Sequence, residues 1–276
     1  MAGYKPVSTT EADDSLRRVH LFGLELIDCE NLAPVVDVIL AHEPATTECD
    51  RLPVVVTPNV DILVDLDRRP DTVAAALFRR ARLVLPDGMP LVFSSRLLGR
   101  PLAGRLTGSG LFEELWPRLA SDGRPAVVLC ASHEIVRQLE ALHPEARFVV
   151  PPMLDIGDRA ATEAVVAQID DEVVACDAHY VLLGLGHPKD ATIIMGLVER
   201  WTEMSRPMPL CLGLGGSFAM FAGLKKRAPA WMQRAGLEWF YRFVQEPRRL
   251  FRRYFIRDVA FVGIVRREHR RVGVRS

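Results

Sequence analysis

The sequence of 276 residues contains no apolar run long enough to form a membrane-spanning helix, which needs about 20 consecutive apolar residues. Its first residues, MAGYKPVSTTEADDSLRR, lack the apolar core of a secretory signal peptide. We therefore expect a cytoplasmic protein. Apolar residues make up 49% of the chain and charged residues 25%, a composition that is typical of a folded globular protein and not of a disordered one.

Cysteine is scarce, and its spacing contains no metal or redox motif. The five cysteines form no CxxC pair, and the histidines near them lack the spacing of a zinc site. We therefore expect reduced thiols, most of them buried, at Cys29, Cys49, Cys130, Cys176 and Cys211.

Several common catalytic and nucleotide-binding motifs are also missing. The chain has no Walker A loop, no HExxH, no YxxxK pair and no Ser/His/Asp order that would support a hydrolase. Two glycine-rich segments, GLGHPKD at 184–190 and GLGGSF at 213–218, do not complete the dinucleotide fingerprint GxGxxG. Lys189 and Phe218 occupy the position of its third glycine. A dinucleotide-binding site is therefore unsupported.

Net charge is absent as well, because 35 basic residues balance 35 acidic ones. The balance is not uniform along the chain. The segment 224–276 holds 15 Lys and Arg but only 4 Asp and Glu, whereas the rest of the chain holds 20 and 31. This division predicts an acidic body (18–223) and a basic C-terminal appendage (224–276), and the polar composition of residues 1–17 predicts a flexible N-terminus.

Short apolar segments alternate with segments of helical period through the body. Several of the apolar segments, such as VVV, AVVLC and VLLGLG, are continuous, as is typical of strands with both faces covered. The alternation predicts an α/β fold, a Rossmann-like, mainly parallel sheet with helices on both faces. The predicted strands are His20–Ile27, Val54–Thr57, Arg82–Leu85, Ala126–Cys130, Arg147–Val150, Tyr180–Gly184 and Leu210–Gly213.

In such sheets ligands bind beyond the carboxyl ends of the strands, so the residues there are the candidates for chemistry. One strand ends in VVTPNVD, where Thr57 and Asn59 could bind a ligand or cap the next helix. The next ends in LVLPDGMP, where Asp87 lies on a tight turn before Gly88. Asp87 could act as a general base towards an incoming hydroxyl, or it could be an ordinary Asx-turn residue.

Three further segments could hold a phosphate group. Arg105 precedes a glycine-bearing turn and a predicted helix (Leu111–Ala120) in RLTGSG, where a guanidinium and backbone N–H groups would suit a phosphate. A surface arginine beside an ordinary turn is the alternative. The two glycine-rich loops could admit a nucleotide diphosphate, or their glycines could serve tight turns only. Their candidate residues are Gly184, Gly186, Pro188, Lys189, Gly213, Gly215 and Gly216.

Asp65 and Asp67 form a DxD, a pattern that holds a divalent metal in many sugar-nucleotide enzymes. Here it precedes RRP at a predicted helix end, which favours a solvated surface. His187 is the only histidine in a candidate loop, and a single histidine is weak evidence for a site.

Five segments occur in the order TPNVDI, LVLPDGMPLVFSSRLLG, RLTGSGL, VLLGLGHPK and CLGLGGSFAMFAGLKKRAPAWMQRAGLEWFYRFVQEPRRLFRRY. Together they resemble the WecG/TagA/CpsF glycosyltransferases, glycosyltransferase family 26, over about residues 20–254. The resemblance implies a Rossmann-like enzyme that needs no metal or other cofactor. It implies inverting transfer of N-acetylmannosamine or its uronic acid from a UDP-sugar to a polyprenyl-diphosphate-linked saccharide.

The same resemblance implies roles for individual residues. Asp87 would be the catalytic base, and Thr57, Asn59 and Gly88 would line the donor and acceptor pocket. The leaving diphosphate would be bound by Arg105, Arg242, Arg249 and Arg252. The family usually has PKQE where this chain has PKDA (188–191), so a UDP-hexose or UDP-hexuronic acid donor is the alternative. The sequence assigns no binding role to Asp190.

The segment LEWFYRFVQEPRRLFRRYF (237–255) interleaves five arginines with seven aromatic residues. Its rings could pack against the body and its arginines could be solvated. We expect instead that some arginines close over the diphosphate while the remaining basic and aromatic residues contact an anionic membrane surface, on the inner face of the cell membrane. A nucleic-acid-binding protein is a remote alternative, because no such motif is present. The resemblance also makes a homo-oligomer plausible.

Overall fold

The structure, a computed structural model, describes residues 16–46, 51–224 and 259–273, together with the single positions Pro229, Met232, Phe240, Tyr241 and Val244. The described strands are β1 Arg18–Leu21, β2 Leu24–Ile27, β3 Leu52–Val56, β4 Ala81–Val84, β5 Ala126–Leu129, β6 Arg147–Val149, β7 Tyr180–Leu183 and β8 Leu210–Gly213. The described helices are α1 Ala33–Leu40, α2 Val60–Arg68, α3 Val73–Arg80, α4 Met89–Leu97, α5 Gly108–Asp122, α6 His133–Glu140, α7 Arg159–Cys176, α8 Lys189–Glu203, α9 Ser217–Phe221 and α10 Ala260–Gly273.

The eight strands form one sheet in the order β1-β2-β4-β3-β8-β7-β5-β6. β1 pairs antiparallel with β2, and the other neighbouring strands pair parallel. The carboxyl ends of β4, β3, β8 and β7 therefore lie side by side at one edge of the sheet. These are the strands whose ends the sequence analysis singles out.

Helices cover both faces of the sheet. β3 is buried along its whole length, and its side chains alternate: Val54 and Val56 contribute to one apolar cluster and Val55 to the other. The first cluster takes side chains from α2, α3, α7, α8 and α10, and the second from α1, α5, α6 and α9. The predicted α/β fold with a mainly parallel sheet is confirmed.

The single predicted strand His20–Ile27 is wrong, because the structure has an antiparallel hairpin there. Phe22 and Gly23 take positive φ angles of 57° and 72° and reverse the chain between β1 and β2. Gly23 is the residue that permits this turn, since glycine adopts positive φ without steric cost.

The described cysteines Cys29, Cys130, Cys176 and Cys211 are free thiols, as predicted. Cys130 and Cys211 are buried, and burial raises the pKa of Cys130 to about 12. Both are therefore inert apolar packing residues at neutral pH. Cys49 lies outside the described residues.

Helix α10 is the described part of the basic segment that packs on the body. Phe261 contacts Phe22 with ring centroids 5.4 Å apart, and Arg267 forms ion pairs with Asp67 at 2.5 and 2.6 Å. Phe261 and Ile264 are buried, whereas Val262 is exposed. The helix thus buries one apolar side against α2 and the β1–β2 hairpin.

Candidate active site

The Asp87 turn is held to two neighbouring loops by hydrogen bonds. The backbone N–H of Asp87 donates to the carbonyl of Pro58 at 3.0 Å, and the N–H of Leu106 donates to the carbonyl of Pro86 at 3.0 Å. Gly88 follows with a φ of 140°, a backbone conformation that favours glycine, and begins helix α4. The turn after β4 is therefore fixed relative to the end of β3 and to the Arg105 loop.

The Asp87 carboxylate faces the beginning of helix α5. Its Oδ2 accepts a hydrogen bond from the backbone N–H of Gly108 at 3.4 Å, across 21 residues of sequence. The side chain is half-buried. The carboxylate is thus oriented by a helix N-terminus and keeps access to solvent, and its role as a general base stays a prediction.

Gly108 brings three elements together at this point. A Cβ at Gly108 would lie 2.9 Å from Oγ1 of Thr57 and 3.2 Å from Oγ of Ser217, so only glycine allows α5 to begin so close to both hydroxyls. The Ser217 hydroxyl donates to the carbonyl of Leu214 at 2.6 Å. Sequence reasoning missed Ser217 as an individual site residue, although the GLGGSF segment that carries it was a candidate.

Helix α5 begins at Gly108, three residues before the predicted start at Leu111. Thr107 caps it, since its Oγ1 accepts a hydrogen bond from the N–H of Gly110 at 3.0 Å. The glycines of RLTGSG therefore lie in the first turn of the helix and not in a loop before it. Thr107 provides the signal that sequence reasoning overlooked.

Asn59 caps helix α2. Its side-chain oxygen accepts from the N–H of Ile62 at 3.1 Å, so the capping interpretation is confirmed. Thr57 and Asn59 are both half-buried, beside the Asp87 turn. Their role in a donor or acceptor pocket stays a prediction.

Arg105 lies on the loop that joins helix α4 to helix α5, and its side chain is half-buried. The loop passes close to the residues after β2: a Cβ at Gly104 would lie 2.9 Å from the carbonyl oxygen of Glu30 and 3.0 Å from that of Cys29. Arg105 is thus attached to a loop that is packed on both sides. The N–H of Leu106 on the same loop donates to Pro86, so the backbone at Arg105 lies near the Asp87 turn. The diphosphate role of Arg105 stays a prediction.

The two glycine-rich loops contact each other at the ends of β7 and β8. Gly186 and Gly215 have φ angles of 95° and 53°, and a Cβ at Gly215 would lie 3.4 Å from Cα of Gly186. A Cβ at Gly184 would lie 2.2 Å from a ring carbon of Phe218. The glycines therefore allow two close backbone approaches, so their structural use is established whatever they bind.

Asp190 joins the two loops. Its Oδ1 accepts from the N–H of Leu185 at 3.0 Å and its Oδ2 from the N–H of Gly215 at 3.1 Å. Burial raises the pKa of Asp190 to about 6, although backbone hydrogen bonds and Lys189 favour the charged form. Pro188 and Lys189 precede Asp190 at the beginning of α8, and both are half-buried. The sequence analysis missed the part played by Asp190.

The expectation that the DxD is a solvated surface is wrong for Asp65, which is 6% exposed. Asp65 forms an ion pair with Arg69, and its Oδ2 bonds to Nε2 of His187 at 2.9 Å. Burial would raise the pKa of Asp65, but the hydrogen bonds from Arg69 and His187 outweigh it and hold the pKa below its usual value. Asp65 and Asp67 thus anchor the His187 loop and helix α10, respectively.

Three predicted diphosphate ligands, Arg242, Arg249 and Arg252, lie outside the described residues. Within the described ranges, no group of three or more His, Cys, Asp or Glu side chains is arranged to hold a metal ion. Among the same residues, no helix is long and apolar enough to cross a membrane.

Comparison with known proteins decides the family. Residues 19–274 match the model of the glycosyl transferase WecG/TagA/CpsF family. The chain belongs to this family. It is a glycosyltransferase, and the resemblance found in the sequence is confirmed. The comparison offers no support for the nucleic-acid-binding alternative.

Two curated relatives carry the name N-acetylglucosaminyldiphosphoundecaprenol N-acetyl-beta-D-mannosaminyltransferase. The one from Bacillus spizizenii strain W23 is 29% identical over 71% of this chain and 72% of the relative. The one from Bacillus subtilis strain 168 is 28% identical over 60% of this chain, and the match spans only 62% of that relative, less than two thirds of its length. By that name, the two relatives transfer N-acetylmannosamine to N-acetylglucosaminyldiphosphoundecaprenol.

Proposed function

We propose that this member of the WecG/TagA/CpsF family transfers an N-acetylmannosamine-type sugar, or its uronic acid, from a UDP-sugar to a polyprenyl-diphosphate-linked saccharide. The reaction inverts the anomeric centre and uses no metal ion. The observation that supports this most directly is the Asp87 carboxylate, oriented by Gly108 beside Thr57 at the carboxyl edge of the sheet. The names of the two relatives support the substrate class.

The proposed mechanism is a direct displacement. Asp87 removes the proton from the acceptor hydroxyl while the hydroxyl oxygen attacks the anomeric carbon of the donor sugar. UDP leaves from the opposite side of that carbon. Because positive character builds on the sugar while negative charge builds on the diphosphate, a carboxylate and guanidinium groups on opposite sides stabilise both. Removal of the base should lower the rate by about 10²–10⁴-fold.

The diphosphate would lie between the glycine-rich loops and the arginines. A Cβ at Gly186 or Gly216 would meet nothing within 4 Å, so there is open space for an anion beside the strand ends. Arg105 would approach from the loop before α5, and Arg242, Arg249 and Arg252 would complete the site. A donor with a hexose or a hexuronic acid is the alternative, because Asp190 and Ala191 replace the usual Gln and Glu.

A lipid-linked acceptor requires that the enzyme work at a membrane surface. Helix α10 presents exposed arginines, Arg266, Arg270 and Arg271, together with the exposed Val262. Each basic residue near an anionic surface contributes about 1 kcal/mol, an effect that falls as salt rises. We propose a peripheral position on the inner face of the cell membrane.

A donor screen tests the substrate class. UDP release is measured for a panel of UDP-sugars, with and without a prenyl-diphosphate-linked N-acetylglucosamine acceptor in detergent, and again with a chelator. We expect acceptor-dependent release with one donor, unchanged by the chelator. Release that needs no acceptor, or that the chelator abolishes, would overturn the proposal.

The base assignment has its own test. Asp87→Asn keeps the shape of the side chain but removes its basicity, so kcat should fall about 10²–10⁴-fold while UDP still binds. Asp37→Asn is the matched control, since Asp37 is an exposed carboxylate on α1 that pairs with Arg118 at 2.9 Å. Its kcat should equal that of the unmodified enzyme. Normal turnover by Asp87→Asn would contradict the role of Asp87.

A further inference from the structure

Asp190 is a carboxylate buried where its neighbours are apolar. It is the second residue of α8, is 5% exposed, and is followed by the buried Ala191, Ile193 and Ile194. Leaving a carboxylate in such surroundings costs free energy unless it is hydrogen-bonded. Its partners are backbone N–H groups of the glycine-rich loops: Leu185 and Gly215 donate to it at 3.0 and 3.1 Å, and the Gly186 N–H also favours its charged form.

Backbone hydrogen bonds join the two loops where they leave the sheet: the N–H groups of Leu214 and Gly215 donate to the carbonyl of Leu183 at 2.9 and 3.2 Å. Further out, the loops touch at Gly186 and Gly215, where neither residue has a side chain to interlock. Asp190 lies close to the end of β8, since a Cβ at Gly213 would be 3.8 Å from the Asp190 Cβ. One carboxylate oxygen serves each loop, so Asp190 links the two loops in addition to the backbone bonds to Leu183.

We propose that Asp190 is a positioning residue that holds the two glycine-rich loops at the spacing required for the diphosphate of the nucleotide donor. This inference rests on the proposed function, in which these loops receive the donor. It also has a consequence for binding: the N–H groups of Leu185 and Gly215 donate to Asp190 and are therefore not the groups that bind the diphosphate. Asp190 touches neither substrate and acts through the loops alone.

Asp190→Asn provides the test, because asparagine has nearly the same volume but only one acceptor oxygen. Its NH₂ group would face one of the two backbone N–H donors, so one loop would lose its tether. A hydrogen bond to a charged group is strong enough that its loss should raise the Kd for UDP and the KM for the donor about tenfold. The kcat should change less than about twofold, because Asp190 does not contact the reacting atoms.

Asp170→Asn is the matched control. Asp170 is 2% exposed and accepts hydrogen bonds from Arg200, Trp201 and Arg206, far along α7 and α8 from the loops. Its substitution should lower the melting temperature but leave the Kd for UDP unchanged. An equal rise of Kd in both variants would mean that general destabilisation explains the effect, and would overturn the proposal.

Gly215→Ala disturbs the same contact without touching the carboxylate and remains informative if Asp190→Asn does not fold. The new Cβ would lie 3.4 Å from Cα of Gly186, at a residue whose φ is 53°. We expect the Kd for UDP to rise several-fold, and an unchanged Kd would contradict the proposal.

UDP titration by calorimetry separates this inference from the proposed function. If UDP binds and Asp190→Asn alone weakens it, the inference holds even when no transfer is found with any acceptor. If the unmodified protein does not bind UDP at all, or if Asp190→Asn lowers kcat and leaves Kd and KM unchanged, the inference is wrong.

Discussion

A buried carboxylate lies at each end of helix α8: Asp170, a residue of α7, beside the C-terminal end, and Asp190 at the N-terminal end. The two carboxylates are stabilised in different ways. At the C-terminal end, Asp170 is bound by the cations Arg200 and Arg206 and by the Trp201 indole. At the N-terminal end, Asp190 is bound only by backbone N–H groups. Burial favours the neutral form of both carboxyl groups. For Asp170 the hydrogen bonds and the charges of its partners outweigh burial, so its pKa is lowered, whereas burial raises the pKa of Asp190 to about 6.

The difference teaches which carboxylate belongs to the scaffold and which to the site. An ion pair between helices needs no ligand and is complete in itself. Burying Asp190 costs free energy, and its carboxylate links two loops at the carboxyl edge of the sheet. Ionisable groups in such positions are found more often at functional sites. Two carboxylates that are equally buried can therefore have different roles, and their hydrogen-bond partners indicate which role each has.

The largest effect is expected at the scaffold end. Asp170→Ala removes hydrogen bonds to a charged group and leaves the buried Trp201 indole N–H without its acceptor, a loss that costs up to about 3 kcal/mol. Chemical denaturation should show this loss in the free energy of unfolding. A loss below about 1 kcal/mol would mean that the ion pairs of Asp170 contribute no more than exposed ion pairs do. Asp170 would then not be a residue on which the stability of the scaffold depends.

The next effect concerns pH, and its sign differs between the two ends. Between pH 4 and 6 folded Asp190 binds more protons than its unfolded form, so its contribution to stability falls as pH rises through this window. The stability of the unmodified protein relative to Asp190→Asn should therefore fall by about 2 kcal/mol from pH 4 to pH 6.

For Asp170 the folded pKa is lowered, so its stabilisation is present above the ordinary value of 3.8 and is lost as pH falls below it. Denaturation curves of both Asn variants, each subtracted from the unmodified protein, test the two signs. Parallel pH dependences would show that the partners do not control the two carboxylates as described.

A smaller effect is expected from Gly184→Ala at the site end. The added Cβ would lie 2.2 Å from the Phe218 ring, so the ring and the GLGGSF loop must shift. Overpacking of this kind costs about 1–3 kcal/mol. The melting temperature should fall, and UDP affinity should fall with it. Gly123→Ala is the control, since its φ of 63° is strained but a Cβ there meets nothing within 4 Å.

Much of the site could be predicted because it depends on where strands end. In VVTPNVD and LVLPDGMP a short apolar stretch is followed by turn residues, a pattern that indicates Thr57, Asn59 and Asp87 as strand-end residues. Parallel strands bring their carboxyl ends to one edge of the sheet. Asp190 and the Asp65–His187 bond could not be found in this way. Their partners lie 25 and 122 residues away, and no local pattern specifies them.

The sequence by itself determined the alternation of strands and helices, the family, the basic character of the C-terminal segment and the candidates at the strand ends. These follow from local periodicity, from ordered motifs and from charge, which need no knowledge of neighbours in space. Only the tertiary structure decided that an acidic residue at position 190 is buried between two loops and that Asp65 is an anchor and not a surface residue. Hydrogen-bond partners depend on the order of the strands in the sheet, and that order places β8 between β3 and β7 although it comes last along the chain.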